Sequence, residues 1–300
     1  MNEKNGIIVL NKPRGMTSHD CVAKIRRLAG TKRVGHTGTL DPEVIGVLPI
    51  CIGQATRVAE YVLDFEKEYT AEIVLGKSTT TQDQVGEVIE DQPLKKAPSK
   101  EELLTILQTF IGKIQQIPPM YSAVKVNGKR LHQLAREGKE VERKPREVEI
   151  YQIELLDYQP NKDYPSFSIK VRCSKGTYIR TLGVDIGAAL GYPAHMNSLI
   201  RSKSGPYHLD QAISFEELEQ WTEEDWEHRL LPLDSALILL PQLILSDDLI
   251  LRIKYGQSLH VHDNLVTDTL YRIYDQNHQF IALYTAINEH TIKPRKVFLE

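Results

Sequence analysis

Apolar positions recur along this chain with two different periods, and the switches between them mark out elements. Residues 6–10 form a short apolar run that ends at Asn11-Lys12-Pro13-Arg14-Gly15, a turn by its proline and glycine. Thr17 or Ser18 then caps a helix with Val22, Ile25 and Leu28 on one face, stopped at Gly30. Residues 31–42 make a glycine-rich loop without hydrophobic periodicity, followed by a buried run over 44–52 and a short helix over 56–63. Tyr69, Ala71, Ile73 and Leu75 alternate with more polar neighbours, which predicts a half-buried strand over 68–75. Ser99 with Glu102 is a capping box opening a helix striped by Leu103, Ile106, Leu107 and Phe110. Residues 148–156 and 166–173 read as strands, and Gly176 turns the chain into a helix with Ile179, Leu182, Ile186 and Leu190 on one face.

Strands and helices are mixed without a regular βαβ repeat, so the pattern predicts an α+β fold with a mixed, mainly antiparallel sheet. The acidic stretch 214–230, with its two tryptophans, reads as a surface helix pair or a connector. Beyond Pro241, short alternating segments at 249–253, 270–273 and 280–284 predict a small β-rich module. The expected division is 1–235 and 236–300.

Composition narrows the class. Hydrophobic residues make up 41% and charged residues 26% of the 300, ordinary for a globular chain of about two domains. No stretch approaches the roughly 18 apolar residues of a membrane span. Residues 1–15 lack both a long apolar run and a small-residue cleavage site, so a cytoplasmic protein with no membrane contact is expected. Cys21, Cys51 and Cys173 are odd in number and far apart, which predicts buried reduced thiols and no cysteine zinc site.

The net charge of −3 conceals a gradient. Residues 1–60 carry nine Lys/Arg against five Asp/Glu, and residues 112–150 the same. Residues 171–205 carry five against one, whereas 210–235 carry nine acidic residues and a single Arg. Basic blocks that converge would neutralise nucleic-acid phosphates; solvated faces with a chance imbalance explain the counts equally well.

The segment Gly35-His36-Thr37-Gly38-Thr39-Leu40-Asp41-Pro42 is the main candidate for chemistry. Pro42 biases Asp41 towards an extended conformation, so its carboxylate projects from a loop. An Asp–Pro pair is more often plain turn chemistry, and its setting among glycines beside His36 is what raises it above that. His260-x-His262 has alternate spacing, but nothing completes a zinc-like ligand set, so no metal is expected.

These residues belong to a longer pattern. Lys12-Pro13 with Gly15-x-Thr17-Ser18, the 35–42 segment continued by Gly46-Val47-Leu48-Pro49, and Lys67-Glu68-Tyr69 stand in order. Pro118-Pro119-Met120-Tyr121-Ser122-Ala123-Val124-Lys125 follows with Gly128 and Arg130, then Ser174-Lys175-Gly176-Thr177-Tyr178-Ile179-Arg180, then Ala194-His195 and Leu199. Together, over roughly residues 6–210, they resemble the TruB family of bacterial tRNA pseudouridine-55 synthases. Three positions depart from that pattern: Thr80 replaces an acidic residue, His132 a tyrosine, and the second arginine after the leucine is displaced, giving Leu199-Ile200-Arg201.

The resemblance implies a pseudouridine synthase fold over 1–235. By position and strand pattern, 236–300 resembles a PUA RNA-binding module. The implied substrate is the T arm of tRNA, acted on by a monomer that requires no protein partner. Conversion of uridine to pseudouridine breaks the N-glycosidic bond and rejoins uracil through carbon five, with no redox change and no external group. No cofactor is therefore expected. A carboxylate suits the task because it can attack and later leave, as in retaining glycosidases, which makes Asp41 the implied nucleophile. Arg180 would pair with Asp41 and keep it ionised, Tyr69 would stack on the flipped uracil and assist proton removal, and Leu199 would wall the base pocket. His36 would occupy the disrupted stack, and Thr39, Lys175 and Tyr178 would contact RNA. Lys12 is open between a phosphate contact and an exposed lysine.

Three rivals stay on the table: an RNA chaperone that helps tRNA fold, with or without catalysis; a glycoside hydrolase, which lacks a second carboxylate at an identifiable motif; and a synthase acting on another RNA.

Overall fold

A computed structural model describes residues 4–126, 128–139 and 141–298. The alternation around Tyr69 organises the larger sheet: in the Lys67–Leu75 strand, Lys67, Tyr69, Ala71, Ile73 and Leu75 are all buried and the residues between them half-buried. That strand is central. Across the sheet the order is Gly6–Lys12, Ile45–Ile52, Ala194–Ser204, Lys67–Leu75, Ser166–Cys173, Arg146–Gln159 and Gly112–Gln116. Val34–His36 pairs alongside Ile45–Ile52, and Tyr207–His208 alongside Ala194–Ser204. Neighbours are antiparallel except where Ile45–Ile52 runs parallel to Ala194–Ser204, through the partners Ile200 with Ile45 and Arg201 with Gly46. The sheet is thus mixed and mainly antiparallel.

Helices pack onto this sheet, among them Lys100–Thr109, which buries Leu103 and Leu107. Ser18–Ala29 starts at Thr17, which forms a capping box with Asp20, and stops at Gly30 in the left-handed conformation. Ile179–Ala189 buries Ile179, Leu182 and Ile186. These pack with Ile25, Ile50, Ile73, Ile169 and Phe167 into the main core. Acidic segments form the short helices Phe215–Leu218 and Glu223–His228, whose Phe215, Leu218 and Trp226 insert into that core. Their outer carboxylates meet the basic start of the chain, Glu219 at 2.8 Å from Lys24 and Glu223 at 3.1 Å from Lys4.

The C-terminal sheet has the order Gln242–Ile244, Leu270–Tyr274, Phe280–Asn288, Thr291–Val297, Leu259–His260 and its own core of Leu243, Ile253, Leu259, Ile273, Tyr284 and Ile292. One expected strand is corrected. Residues 249–253 lie in a helix, Asp247–Lys254, begun at Ser246 with two aspartates in its first turn. Leu249, Ile250 and Ile253 face the core while Leu251 points outward, so the run follows a helical period that its near-alternation hid. A third cluster joins the two sheets, with Ile7, Val9, Val47, Val58 and Tyr207 packed on Leu283 and Phe298. No helix of the described residues is long and apolar enough to cross a membrane.

Candidate active site

The loop that carries Asp41 is fixed from behind. Lys12 is fully buried, and its Nζ donates to the carbonyls of Pro13 at 2.9 Å, Pro42 at 3.0 Å and Val44 at 2.7 Å. All three ammonium protons are spent on backbone oxygens. Ser18 adds a second tie, donating to the Leu40 carbonyl at 3.2 Å and accepting from the Leu40 amide at 2.9 Å. The Val44 amide closes the turn on the Asp41 carbonyl at 3.1 Å. These bonds tie the loop backbone to the first strand and to the start of the first helix.

Arg180 enters from the opposite side, near the start of the Ile179–Ala189 helix. The preceding residue pair is oriented by Gln116, whose buried carboxamide donates to the Tyr178 carbonyl at 3.2 Å and accepts from its amide at 3.0 Å. The Arg180 side chain is 5% exposed, and its Nη2 stands 3.1 Å from Asp41 Oδ2. The same fork donates to the carbonyls of Thr81 and Tyr121, each at 2.8 Å, and its Nη1 lies 3.8 Å from Asp83 Oδ2. Asp83 is itself held, accepting from Thr81 Oγ1 at 2.5 Å and the Val85 amide at 3.1 Å. One guanidinium therefore bridges two carboxylates in fixed geometry.

These groups open onto a cleft of about 240 Å³ lined by Thr39, Asp41, Tyr69, Tyr178, Arg180 and Leu199, among others. The Asp41 side chain is 41% exposed, yet burial is the main influence on its ionisation. A concave cleft admits water to one edge of the carboxylate while protein crowds the rest, and the crowding governs. Burial pushes the Asp41 carboxyl above the ordinary carboxylate range; Arg180 and, less strongly, Lys12 pull it back, and Asp83 adds to the rise. Burial also raises the Tyr69 hydroxyl, opposed by the positive charge of Arg201. Lys67, its Nζ donating to Leu63 and Phe65 carbonyls, is lowered by burial to about 8.

The structure brings Asp41, Tyr69, Arg180, Leu199, Thr39, Lys175 and Tyr178 to one cleft. Lys175 is at its rim, paired with Asp64. His36 is not among the lining residues: it sits on the neighbouring Val34–His36 strand, edge-on to His19 with ring centroids 5.9 Å apart. Its Nδ1 is buried without a partner, and burial, His19 and Arg201 hold the imidazole towards its neutral form. Lys12 is a correction to both readings of the sequence, because it is neither exposed nor free to meet a phosphate. Arg201, noted in the sequence only as a displaced arginine with no role assigned, is 1% exposed and lies in the cleft wall. Asp83 keeps the second acidic residue of the motif that Thr80 departs from, but its role was not read from it, and Gln116 had no signal beyond its residue type, since only long-range packing shows what these side chains hold.

Solved structures similar to this one include a Cbf5–Nop10–Gar1 complex (TM-score 0.77, 29% identity, 99% of this chain and 85% of that one). A second is an H/ACA ribonucleoprotein bound to a substrate RNA containing 2′-deoxyuridine (TM-score 0.77, 26% identity, 99% and 86%). The architecture is the pseudouridine synthase fold. In sequence, residues 26–179 match the TruB family pseudouridylate synthase N-terminal domain, 180–238 the tRNA pseudouridylate synthase B C-terminal domain, and 241–298 the pseudouridine synthase II TruB C-terminal domain. The chain is 46% identical to tRNA pseudouridine synthase B of Halalkalibacterium halodurans over 98% of both proteins. It is also 46% identical to the protein of that name from Bacillus subtilis, over 99% of this chain and 98% of that one. This chain belongs to the TruB family of pseudouridylate synthases.

Proposed function

We propose that this protein isomerises uridine 55 in the T loop of tRNA to pseudouridine, working in the cytoplasm on RNA alone and without a cofactor. One observation carries the reading: a loop carboxylate, Asp41, is paired at 3.1 Å with a 5%-exposed arginine on the floor of a cleft sized for one nucleobase. The target base is extruded into that cleft, because its reacting atoms are shielded inside the stacked loop. Leu199 and the Tyr69 ring sandwich it.

The Asp41 carboxylate attacks, the bond from N1 to the ribose breaks, and the uracil turns. A new bond joins carbon five to the ribose, the carboxylate leaves, carbon five gives up its proton and N1 gains one. Atoms balance without redox. Arg180 orients the carboxylate and opposes its protonation, and Asp83 orients Arg180 in turn. The Tyr69 hydroxyl, facing the same space, takes the carbon-five proton directly or through water. His36, beside the cleft, supports the vacated stack, and Thr39, Lys175 and Tyr178 meet the RNA around its mouth. Lys12 acts through the backbone, holding the Asp41–Pro42 turn. The division at about residue 235 fits this reading, with the second sheet adding RNA-binding surface outside the chemistry.

The test incubates purified protein with an unmodified tRNA transcript, without metal or nucleotide, and maps pseudouridine by chemical labelling. One new pseudouridine in the T loop, lost in Asp41→Asn while binding persists, is expected. Product from Asp41→Asn would remove the nucleophile assignment, and binding without product in the native protein would leave the chaperone reading.

A further inference from the structure

Arg201 is the largest fully buried side chain in the molecule, and nothing in the chemistry above uses it. Its guanidinium meets no carboxylate within ion-pair distance among the described residues. Instead Nε donates to the Val47 carbonyl at 2.7 Å and Nη2 to the Gly38 carbonyl at 3.1 Å, while Tyr69 stands directly across the strand pair in the wall of the same cleft. Burying a cation without a counter-charge costs several kcal/mol. Neutral residues of similar volume would pack the same space without that cost.

The contacts show what is gained. Gly38 lies three residues before Asp41 on the same loop, Val47 lies just beyond that loop on the strand Ile45–Ile52, and Tyr69 is the cross-strand partner of Arg201 itself. The backbones also approach closely. At Gly46, which has φ +109°, a Cβ would come within 2.3 Å of the Arg201 carbonyl, so only glycine lets the two parallel strands meet there.

We infer that Arg201 is a positioning residue, a three-way brace that fixes the Asp41 loop against Tyr69 so that nucleophile and proton acceptor keep one geometry. The inference rests on the isomerase reading above. A planar fork with five donors holds both carbonyls at once and keeps its charge beside Tyr69, whereas a lysine ammonium at that place cannot match the fork. The cation also favours any negative charge that grows on the Tyr69 oxygen as it shares a proton, because Arg201 already draws that hydroxyl back towards ionisation against the effect of burial.

The experiment measures single-turnover pseudouridine formation and tRNA binding for Arg201→Lys, Arg201→Gln, Tyr69→Phe and the double variant Tyr69→Phe/Arg201→Lys, using the full chain. Arg201→Lys keeps charge and bulk and guards against a fold lost in Arg201→Gln; near-ultraviolet dichroism reports whether each is folded. The expected result is a rate loss of about 100-fold in Arg201→Lys with tRNA affinity within about a factor of two, as misplacement of reacting groups predicts. In the Tyr69→Phe background the same change should cost much less, since the brace has already lost one of the groups it holds. Arg201→Lys at close to the native rate would overturn the inference, as would losses that simply multiply in the double variant, or a fall in affinity as large as the fall in rate. If the native protein makes no pseudouridine on tRNA, it is the isomerase reading that fails. The brace is then judged by ¹³C-tyrosine NMR, where the resonance missing from Tyr69→Phe should move in Arg201→Lys, and an unmoved resonance would reject it.

Discussion

The two sheets are built on opposite principles. In the C-terminal sheet the interior is apolar, with Leu243, Ile253, Ile273 and Ile292 at its centre, and its polar groups are tyrosine hydroxyls: Tyr284 donates to the Gln257 carbonyl at 3.1 Å and Tyr271 accepts from the Val266 amide at 2.9 Å. In the N-terminal sheet the interior holds Lys12, Lys67, Asp83, Gln116, Arg180 and Arg201, and among the described residues every buried polar or charged side chain lies between positions 12 and 204. Burying such groups is costly unless each is satisfied, and here most of the partners are backbone carbonyls of loops around one cleft. The difference separates a sheet that needs only to be stable from one that must hold reacting groups in place.

Variants can break that contrast at either end. Asp41→Asn should have the largest effect, a loss of about 10⁴-fold or more in single-turnover rate with tRNA affinity almost unchanged, measured by quenched-flow and filter binding. Arg180→Ala removes one partner from a buried ion pair and strands the carbonyls of Thr81 and Tyr121; it should lower stability by about 3–5 kcal/mol in urea titrations. It should also move the acid limb of the rate profile to higher pH, because Arg180 opposes the rise that burial imposes on Asp41. An acid limb that stays put would mean that another group sets it.

In the C-terminal sheet the contrast predicts stability effects without catalytic ones. Ile253→Ala should cost about 2–4 kcal/mol while the rate per folded molecule stays the same. A rate loss at saturating tRNA would show that the second sheet shapes the chemistry after all. The smallest effect tests whether a partly buried charge packed near the first sheet but outside the cleft is functional. Asp185, on the Ile179–Ala189 helix but outside the cleft, is raised by burial to about 6. A carboxyl raised on folding stabilises below its unfolded value and loses that contribution as pH climbs through the folded one. Asp185→Asn should therefore stabilise by about 1–2 kcal/mol at pH 8 and by almost nothing at pH 4, with activity kept.

How much of this was readable from the chain varies by element. Thr17 and Ser99 announced their helices because capping is local chemistry, and both form the full capping box. Tyr69 was read as inward-facing because its strand alternates strictly. The strand Ala194–Ser204, at the heart of the sheet, gave no such signal: Asn197, Ser198, Ser202 and Lys203 are polar, and its buried positions include Arg201 and Ser204. Helix Asp247–Lys254 was misread for the converse reason, an apolar run too short to separate two periods. At the site, ordered motifs singled out Asp41, Tyr69, Arg180 and Leu199. What Lys12, Asp83 and Arg201 hold was opaque, because a lysine, an aspartate or an arginine looks the same whether it faces water or a set of distant carbonyls.

The cluster between the sheets bears on how the molecule assembles. Ile7 and Val9, on the first strand, are covered on one face by Leu283 and Phe298, and Arg57 donates to the Val297 carbonyl at 2.7 Å while stacking over the Phe298 ring. On the ribosome, the segment that seals this strand is made long after the strand itself. Until it arrives, an apolar surface next to the Asp41 loop stays open to solvent and to other chains. Such long-range closure makes for slow completion and a window in which aggregation competes. Synthesis rate and chaperone supply, more than equilibrium stability, should then set how much of this protein a cell obtains in finished form.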